Sequence, residues 1–200
     1  MARLAVLASG NGSNFEALVL AARASGHEAV LLICDHPNAF ALQRAARLGV
    51  PSVLVSYERG DRAQLDGDRA ARRSAAEARI TAALEASDVD LVALAGFMRL
   101  LGPAFVSRWR GRLVNIHPSL LPAYPGTEAI RRAWDAGEPL LGVTVHHVDV
   151  GMDTGPVITR VEVARQASLE ATEEAIHEAE HQLYSQVVVG LLDGVGIQFT

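Results

Sequence analysis

Residues 4–24 read LAVLASGNGSNFEALVLAARA, and the fold turns on this stretch. Leu4–Ala8 is a short apolar run with no polar face, as in a strand covered on both sides. Ser9–Asn14 is small and polar throughout. From Phe15 to Ala24 the apolar residues recur at helical spacing. Strand, glycine-bearing turn, helix is the first half of a β-α-β unit. The rhythm then repeats. Strands are read at Ala29–Ile33, Ser52–Val55, Leu91–Ala95 and Leu113–Ile116, and helices at Ala39–Leu48 and Ala70–Ala86. Gly26-His27, Gly49-Val50-Pro51 and Ser87-Asp88 supply turn chemistry at the junctions. Such alternation predicts a parallel sheet with right-handed crossovers.

After Pro122 the pattern changes. A helix at about Glu128–Ala136 precedes strand-like runs at Leu141–Val148 and Pro156–Val163. Leu169–Leu192 then reads as one long helix, opened by Ser168 with acids in its first turns. The expected fold is a single Rossmann-like α/β domain over residues 1–200. It has a mostly parallel central sheet flanked by helices on both faces, an antiparallel strand near the C-terminal part and a long C-terminal helix. Glu58–Ala78, the least hydrophobic stretch, reads as a solvated loop and the exposed start of a helix.

Composition narrows the functional classes. Half of the 200 residues are hydrophobic and a fifth charged, enough to fill a core and unlike a disordered chain. All 18 basic residues are Arg, against 23 acids, for a net charge of −5. With no basic block, a general nucleic-acid binder is not expected. Cys34 is the only cysteine, which excludes an intrachain disulfide and an all-cysteine metal site. In VLLICD it reads as a small buried hydrophobe. No apolar run approaches the length of a membrane span or of a signal segment, so a cytoplasmic protein is the expectation.

Three polar islands interrupt the apolar pattern. The first, Ser9-Gly10-Asn11-Gly12-Ser13-Asn14, lies between a strand and a helix start, where free N–H groups and the helix dipole suit a phosphate. It is neither a P-loop nor a full dinucleotide fingerprint, and a tight turn with a Ser or Asn cap is the other reading. The second is Asn115-Ile116-His117-Pro118-Ser119-Leu120-Leu121-Pro122. Positions i and i+2 of a strand share a face, so Asn115 and His117 point the same way. Pro118 should stop the strand there, at the C-terminal edge where open α/β sheets bind ligands. An amide donor beside a His can stabilise an oxyanion and move a proton. The alternative is a His satisfied by backbone groups.

The third island, Gly142–Pro156, reads as a strand followed by a glycine-punctuated loop with two acids. His146 and His147 are adjacent strand residues facing opposite ways, so they chelate one ion poorly, and no metal is expected. Asp153 either caps a turn or orients His117 with its charge. Without a nucleophile elbow or an activated Cys, direct acid–base chemistry without a covalent intermediate is the expectation.

These segments resemble the phosphoribosylglycinamide formyltransferase family over essentially the whole chain. The resemblance rests on SGNGSN (Ser9–Asn14), LAGFMRLLGPAFV (Leu94–Val106), GRLVNIHPSLLPAYPG (Gly111–Gly126) and GVTVHHVDVGMDTGPVI (Gly142–Ile158). HPSLLP alone would indicate only the wider formyltransferase group. The resemblance implies transfer of a formyl group from 10-formyltetrahydrofolate, as co-substrate and without a metal, to the amine of phosphoribosylglycinamide. It implies that Asn115 bonds the formyl oxygen, His117 shuttles the proton and Asp153 positions His117 and a water network. It places the substrate phosphate on Gly12, Ser13 and Asn14, with Glu180 contacting the nucleotide. For the folate it implies Met98, Arg99, Leu100, Leu101, His146 and the loop of Asp149, Val150, Gly151, Met152 and Asp153, together with Asn115. Arg73 is the candidate for the folate tail, with Arg69 and Arg72 as competitors.

The chain departs from the family pattern in four places. His147 and His177 stand where other residues are expected, Gly126–Ile130 lacks a His common just after the glycine, and Glu58–Arg73 is longer than usual. A 10-formyltetrahydrofolate hydrolase and methionyl-tRNA formyltransferase are the enzyme alternatives. Each usually carries an extra domain, for which these 200 residues leave no room. An inactive nucleotide-binding relative would not need Asn115, His117 and Asp153 together. Small-molecule substrates are therefore the expected partners of a monomer or homodimer, with no nucleic acid and no membrane.

Overall fold

The computed structural model describes residues 1–57 and 69–194. Among these, seven strands form one sheet in the order β3-β2-β1-β4-β5-β6-β7. The strands are β1 (Arg3–Ala8), β2 (Glu28–Cys34), β3 (Ser52–Leu54), β4 (Leu91–Leu94), β5 (Leu113–His117), β6 (Leu140–His147) and β7 (Val157–Ala164). The first five run parallel, and β6 is antiparallel to both of its neighbours, β5 and β7. The sheet is thus mostly parallel with one reversed strand, as the change of rhythm after Pro122 predicts.

Alternation along β1 divides the core. Leu4, Val6 and Ala8 face one side with Phe15 and Leu18 of α1 (Ser13–Ala24), and α2 (Phe40–Leu48) packs there too. Ala5 and Leu7 face the other side with Ile80 and Leu84 of α3 (Arg69–Ala86) and Phe105 of α4 (Pro103–Arg108). The helix α5 (Ala129–Asp135) sends Ala133 to the first face. So does the long α6 (Leu169–Leu192), through Ile176, Tyr184, Val187 and Val188. The Ser168 hydroxyl accepts from the Ala171 N–H at 3.1 Å, an N-cap that fixes where α6 begins. Tyr184 is fully buried, and its hydroxyl lies 2.8 Å from Leu94 O and 3.1 Å from Val114 O. It pins α6 against the end of β4 and the start of β5.

Sequence spacing did not reveal α4. Six residues opening on Pro103 are too short to show a period, and Pro at the first helical position starts the helix instead. Most of the long segment expected over Glu58–Arg73 lies outside the described residues, and α3 is described from Arg69 onward. Cys34 is fully buried at the end of β2, and burial pushes its thiol up, as suits a small hydrophobe.

Candidate active site

The C-terminal ends of β1, β4 and β5 open into a cleft of about 530 Å³. The strand order reverses between β1 and β4, so the chain leaves these strands toward opposite sides of the sheet, and a crevice forms where open α/β sheets take ligands. Ser13 and Asn14 after β1, the segment after β4, Asn115 and His117 of β5, and Glu180 of α6 all face it.

Three side chains converge at its centre. The β5–β6 register sets Asn115 opposite His146 and His117 opposite Thr144. His117 Nε2 lies 2.9 Å from the carbonyl of Tyr124. A carbonyl only accepts, so Nε2 carries a proton and Nδ1 is turned to Asp153 Oδ2 at 3.4 Å. Likewise His146 Nδ1 is 2.9 Å from its neighbour's carbonyl, so its Nε2 can accept from Asn115 Nδ2 at 3.2 Å. Asn115 Nδ2 also approaches Asp153 Oδ1 at 3.5 Å. Asp153 Oδ2 accepts from the Gly126 N–H at 2.8 Å, which ties the β6–β7 loop to the turn after Pro122. Asp153 and Tyr124 both adopt left-handed backbone, φ 55° and 53°. Such strain is held only where the surroundings fix it.

The two acids of this loop make different contacts. Asp149 forms the turn, accepting from the Gly151 N–H and the Thr154 hydroxyl at 2.9 and 2.8 Å. Asp153 makes its contacts across the cleft. Its carboxyl and that of Glu180 are pushed in opposite directions. For Asp153, burial raises the pKa, but the nearby His146 ring, the Gly126 N–H and the His117 ring together outweigh it and hold it below the ordinary range. For Glu180, burial dominates and pushes the carboxyl up to about 7, only partly offset by Asn14.

The loop Gly10–Asn14 lies beside Glu180, whose Oε2 accepts from Asn14 Nδ2 at 3.4 Å. No side chain caps α1, so its first N–H groups face the cleft end without an internal partner. Arg44 from α2 braces the loop, donating to Asn11 O and Oδ1 at 2.9 Å each and pairing with Glu16. Gly12, at φ +77°, is required for a reason the sequence did not show. A Cβ there would stand 2.7 Å from Ala41 Cβ, so the glycine serves the packing of α2 on the loop.

Met98, Arg99, Leu100 and Leu101 line the opposite wall, and Asp149, Gly151 and Met152 close it. Two expected folate residues are not among the lining residues. Val150 points outward, 64 % exposed. Arg73 is turned to Glu77, 3.8 Å away on the next turn of α3, because that buried carboxylate needs a cation. His177 lines the cleft, whereas His147 is outside it. The sequence reading missed two backbone groups, Tyr124 O and Gly126 N–H, which no side-chain pattern reveals. It also passed over His177-Glu178-Ala179-Glu180-His181, an HExxH spacing on α6. Among the described residues no group of three His, Cys, Asp or Glu is placed to hold a metal ion.

Comparison with known proteins accords with this geometry. The family described as formyl transferase matches residues 2–188. The chain is 42 % identical over 199 residues to phosphoribosylglycinamide formyltransferase of Bacillus subtilis, covering 96 % of this chain and 95 % of that protein. It is also 42 % identical to the trifunctional purine biosynthetic protein adenosine-3 of Drosophila melanogaster, over 98 % of this chain and 14 % of that one. The crystal structure of glycinamide ribonucleotide transformylase 1 from Geobacillus kaustophilus superposes with a TM-score of 0.85 at 46 % identity, covering 96 % and 99 % of the two chains.

Proposed function

The chain belongs to the formyl transferase family, and on that premise we propose that it transfers the formyl group of 10-formyltetrahydrofolate to the amine of phosphoribosylglycinamide. The observation that carries this reading is the single cleft with Asn115, His117 and Asp153 at its centre. A helix start and a buried acid lie to one side of that centre, and an apolar wall to the other.

The nucleotide phosphate sits on Gly12, Ser13 and Asn14, held by backbone donors at the start of α1. Glu180 meets the nucleotide beside them. The folate takes the other wall, where Met98, Leu100 and Met152 offer apolar surface and the loop backbone offers hydrogen bonds to a flat heterocycle. As the amine attacks the formyl carbon, negative charge grows on the formyl oxygen. His146 holds one Asn115 N–H, and the other, only 3.5 Å from Asp153 Oδ1, turns from that long contact to meet the charge. The attacking nitrogen must lose a proton and folate N10 must gain one. His117 Nδ1 is the group that takes and returns it, and the Asp153 carboxylate stabilises the cation formed between. The C–N bond to N10 then breaks, releasing tetrahydrofolate and the formylated nucleotide. No covalent intermediate on the protein is needed.

No helix among the described residues is long and apolar enough to cross a membrane. The deciding experiment is turnover of 10-formyltetrahydrofolate with and without phosphoribosylglycinamide. Tetrahydrofolate release that depends on the nucleotide supports the reading. Equal release in its absence makes the protein a hydrolase and overturns it.

A further inference from the structure

Two buried carboxylates outside the reacting cluster lack a part in the mechanism above. Asp35 directly follows β2 at 3 % exposure, and Glu77 sits on α3 at 6 %. Burying a carboxylate is costly unless it is paired, and an apolar residue would serve the core better. Both reach the same segment, residues 96–102, which links β4 to α4. Asp35 Oδ2 accepts from Arg99 Nε at 2.6 Å. Glu77 Oε1 accepts from the Gly102 N–H at 2.7 Å. A third anchor comes from the end of β1, where the Ser9 hydroxyl accepts from the Met98 N–H at 2.9 Å. The Arg99 guanidinium is further fixed over the Tyr57 ring at 5.2 Å, and Tyr57 meets Phe97 edge-on.

This segment presents Met98 and Leu100 at 71 % and 54 % exposure. Apolar side chains on an irregular segment would normally fold down onto the protein. Here the backbone is gripped from beneath by polar groups of three different elements, which keeps the apolar side chains raised. Gly102 is close to its anchor as well. A Cβ there would stand 2.9 Å from Glu77 Oε2 and 3.3 Å from Arg73 Nε, so the contact admits only glycine without displacement.

We infer that Asp35 and Glu77 are positioning residues for the folate wall. They hold residues 96–102 in the raised conformation that the folate ring system docks against, and they act on folate affinity without touching the reacting atoms. The inference rests on the reading of that segment as the folate wall.

The test uses Asp35→Ala and Glu77→Ala, each with its conservative counterpart, Asp35→Asn and Glu77→Gln, which retain an oxygen able to accept from Arg99 Nε or the Gly102 N–H. Steady-state kinetics should show KM for 10-formyltetrahydrofolate rising about tenfold or more in the alanine variants, the effect of losing a charge-assisted hydrogen bond. The value of kcat and the Kd for phosphoribosylglycinamide should stay within about threefold, and the conservative variants should recover most of the folate loss. Hydrogen exchange without ligand should show faster exchange at residues 96–102 alone. If folate and nucleotide affinity fall together with thermal stability, or folate KM does not move, the positioning role is wrong. Failure of the wild-type protein to bind the folate would overturn the proposed function instead. The exchange pattern would still decide whether the two carboxylates hold the segment.

Discussion

Glu180 offers the most quantitative test of the site. Its carboxyl titrates near 7 in the folded protein, against an ordinary value of 4.5, because burial in the cleft wall disfavours the charge. A raised folded pKa has a definite sign. Below pH 4.5 the group is protonated in both states and costs nothing. As pH rises toward 7 the unfolded chain ionises first, so stability is lost through that interval and then levels off. At about 1.4 kcal/mol per pH unit, the loss between pH 5 and pH 8 is roughly 2–3 kcal/mol. Glu180→Gln removes the titration while leaving a side-chain amide that can pair with Asn14.

Urea denaturation of both proteins across pH 5 to 8 isolates the effect, since every other titrating group is common to them. For a chain of this size the difference amounts to a relative midpoint shift of about 1 M urea. The wild-type midpoint should fall relative to the variant's, most steeply between pH 5 and 7. Nucleotide binding supplies a second arm. If the ionised carboxylate meets donors of the nucleotide, its affinity should strengthen from pH 6 to 8 more in the wild type than in Glu180→Gln, the ligand's own titration being common to both. Parallel stability curves for the two proteins would refute the buried-acid account, whatever the variant does to activity.

Three further outcomes are expected. Asp153→Asn keeps a residue type that tolerates the left-handed backbone but removes the charge facing His117, so single-turnover rates should fall about 10²–10⁴-fold while both ligand Kd values hold. Combined with His117→Asn, the loss should be well short of the product of the two, because both act on one proton transfer; a multiplicative loss would separate them. Gly12→Ala should destabilise the protein through the Ala41 contact, and Ala41→Gly in the same chain should restore part of the melting temperature, whereas a purely ligand-facing glycine would show no such rescue. Tyr184→Phe leaves the Leu94 and Val114 carbonyls without their shared donor, for a cost of about 1–3 kcal/mol in chemical denaturation.

What the sequence revealed follows its periodicities. The inner parallel strands came through because both of their faces are covered and apolar, and Leu169–Leu192 because Ser168 and its following acids mark a helix start. Asn115 and His117 were legible as a strand-end pair, since two-residue spacing fixes a shared face and Pro118 ends the strand. His146 lacked such a signal. Its place opposite Asn115 depends on antiparallel register, which is set by tertiary packing. The pairing of Arg73 lacked a signal for a related reason: in an Arg-rich helix the sequence does not show which side chain meets Glu77. At Gly12 the contact with Ala41, 29 positions away in sequence, adds a packing demand that no local pattern shows.

The topology of the sheet explains why the chemistry gathers where it does. At the β5–β6 boundary the sheet changes from parallel to antiparallel pairing. A parallel strand end alone would present Asn115 and His117 to the cleft with only their own loop for support. The reversed strand brings His146 level with Asn115, and the loop that leaves it delivers Asp153 back over both. The Gly126 N–H and Tyr124 carbonyl, from the turn after β5, complete the partners of the acid and of His117. One change of direction therefore supplies an orienting group for each of the two strand-end side chains. Asp153→Asn should accordingly disturb rate and leave the sheet intact, whereas changes at the turn residues Tyr124–Gly126 should disturb both.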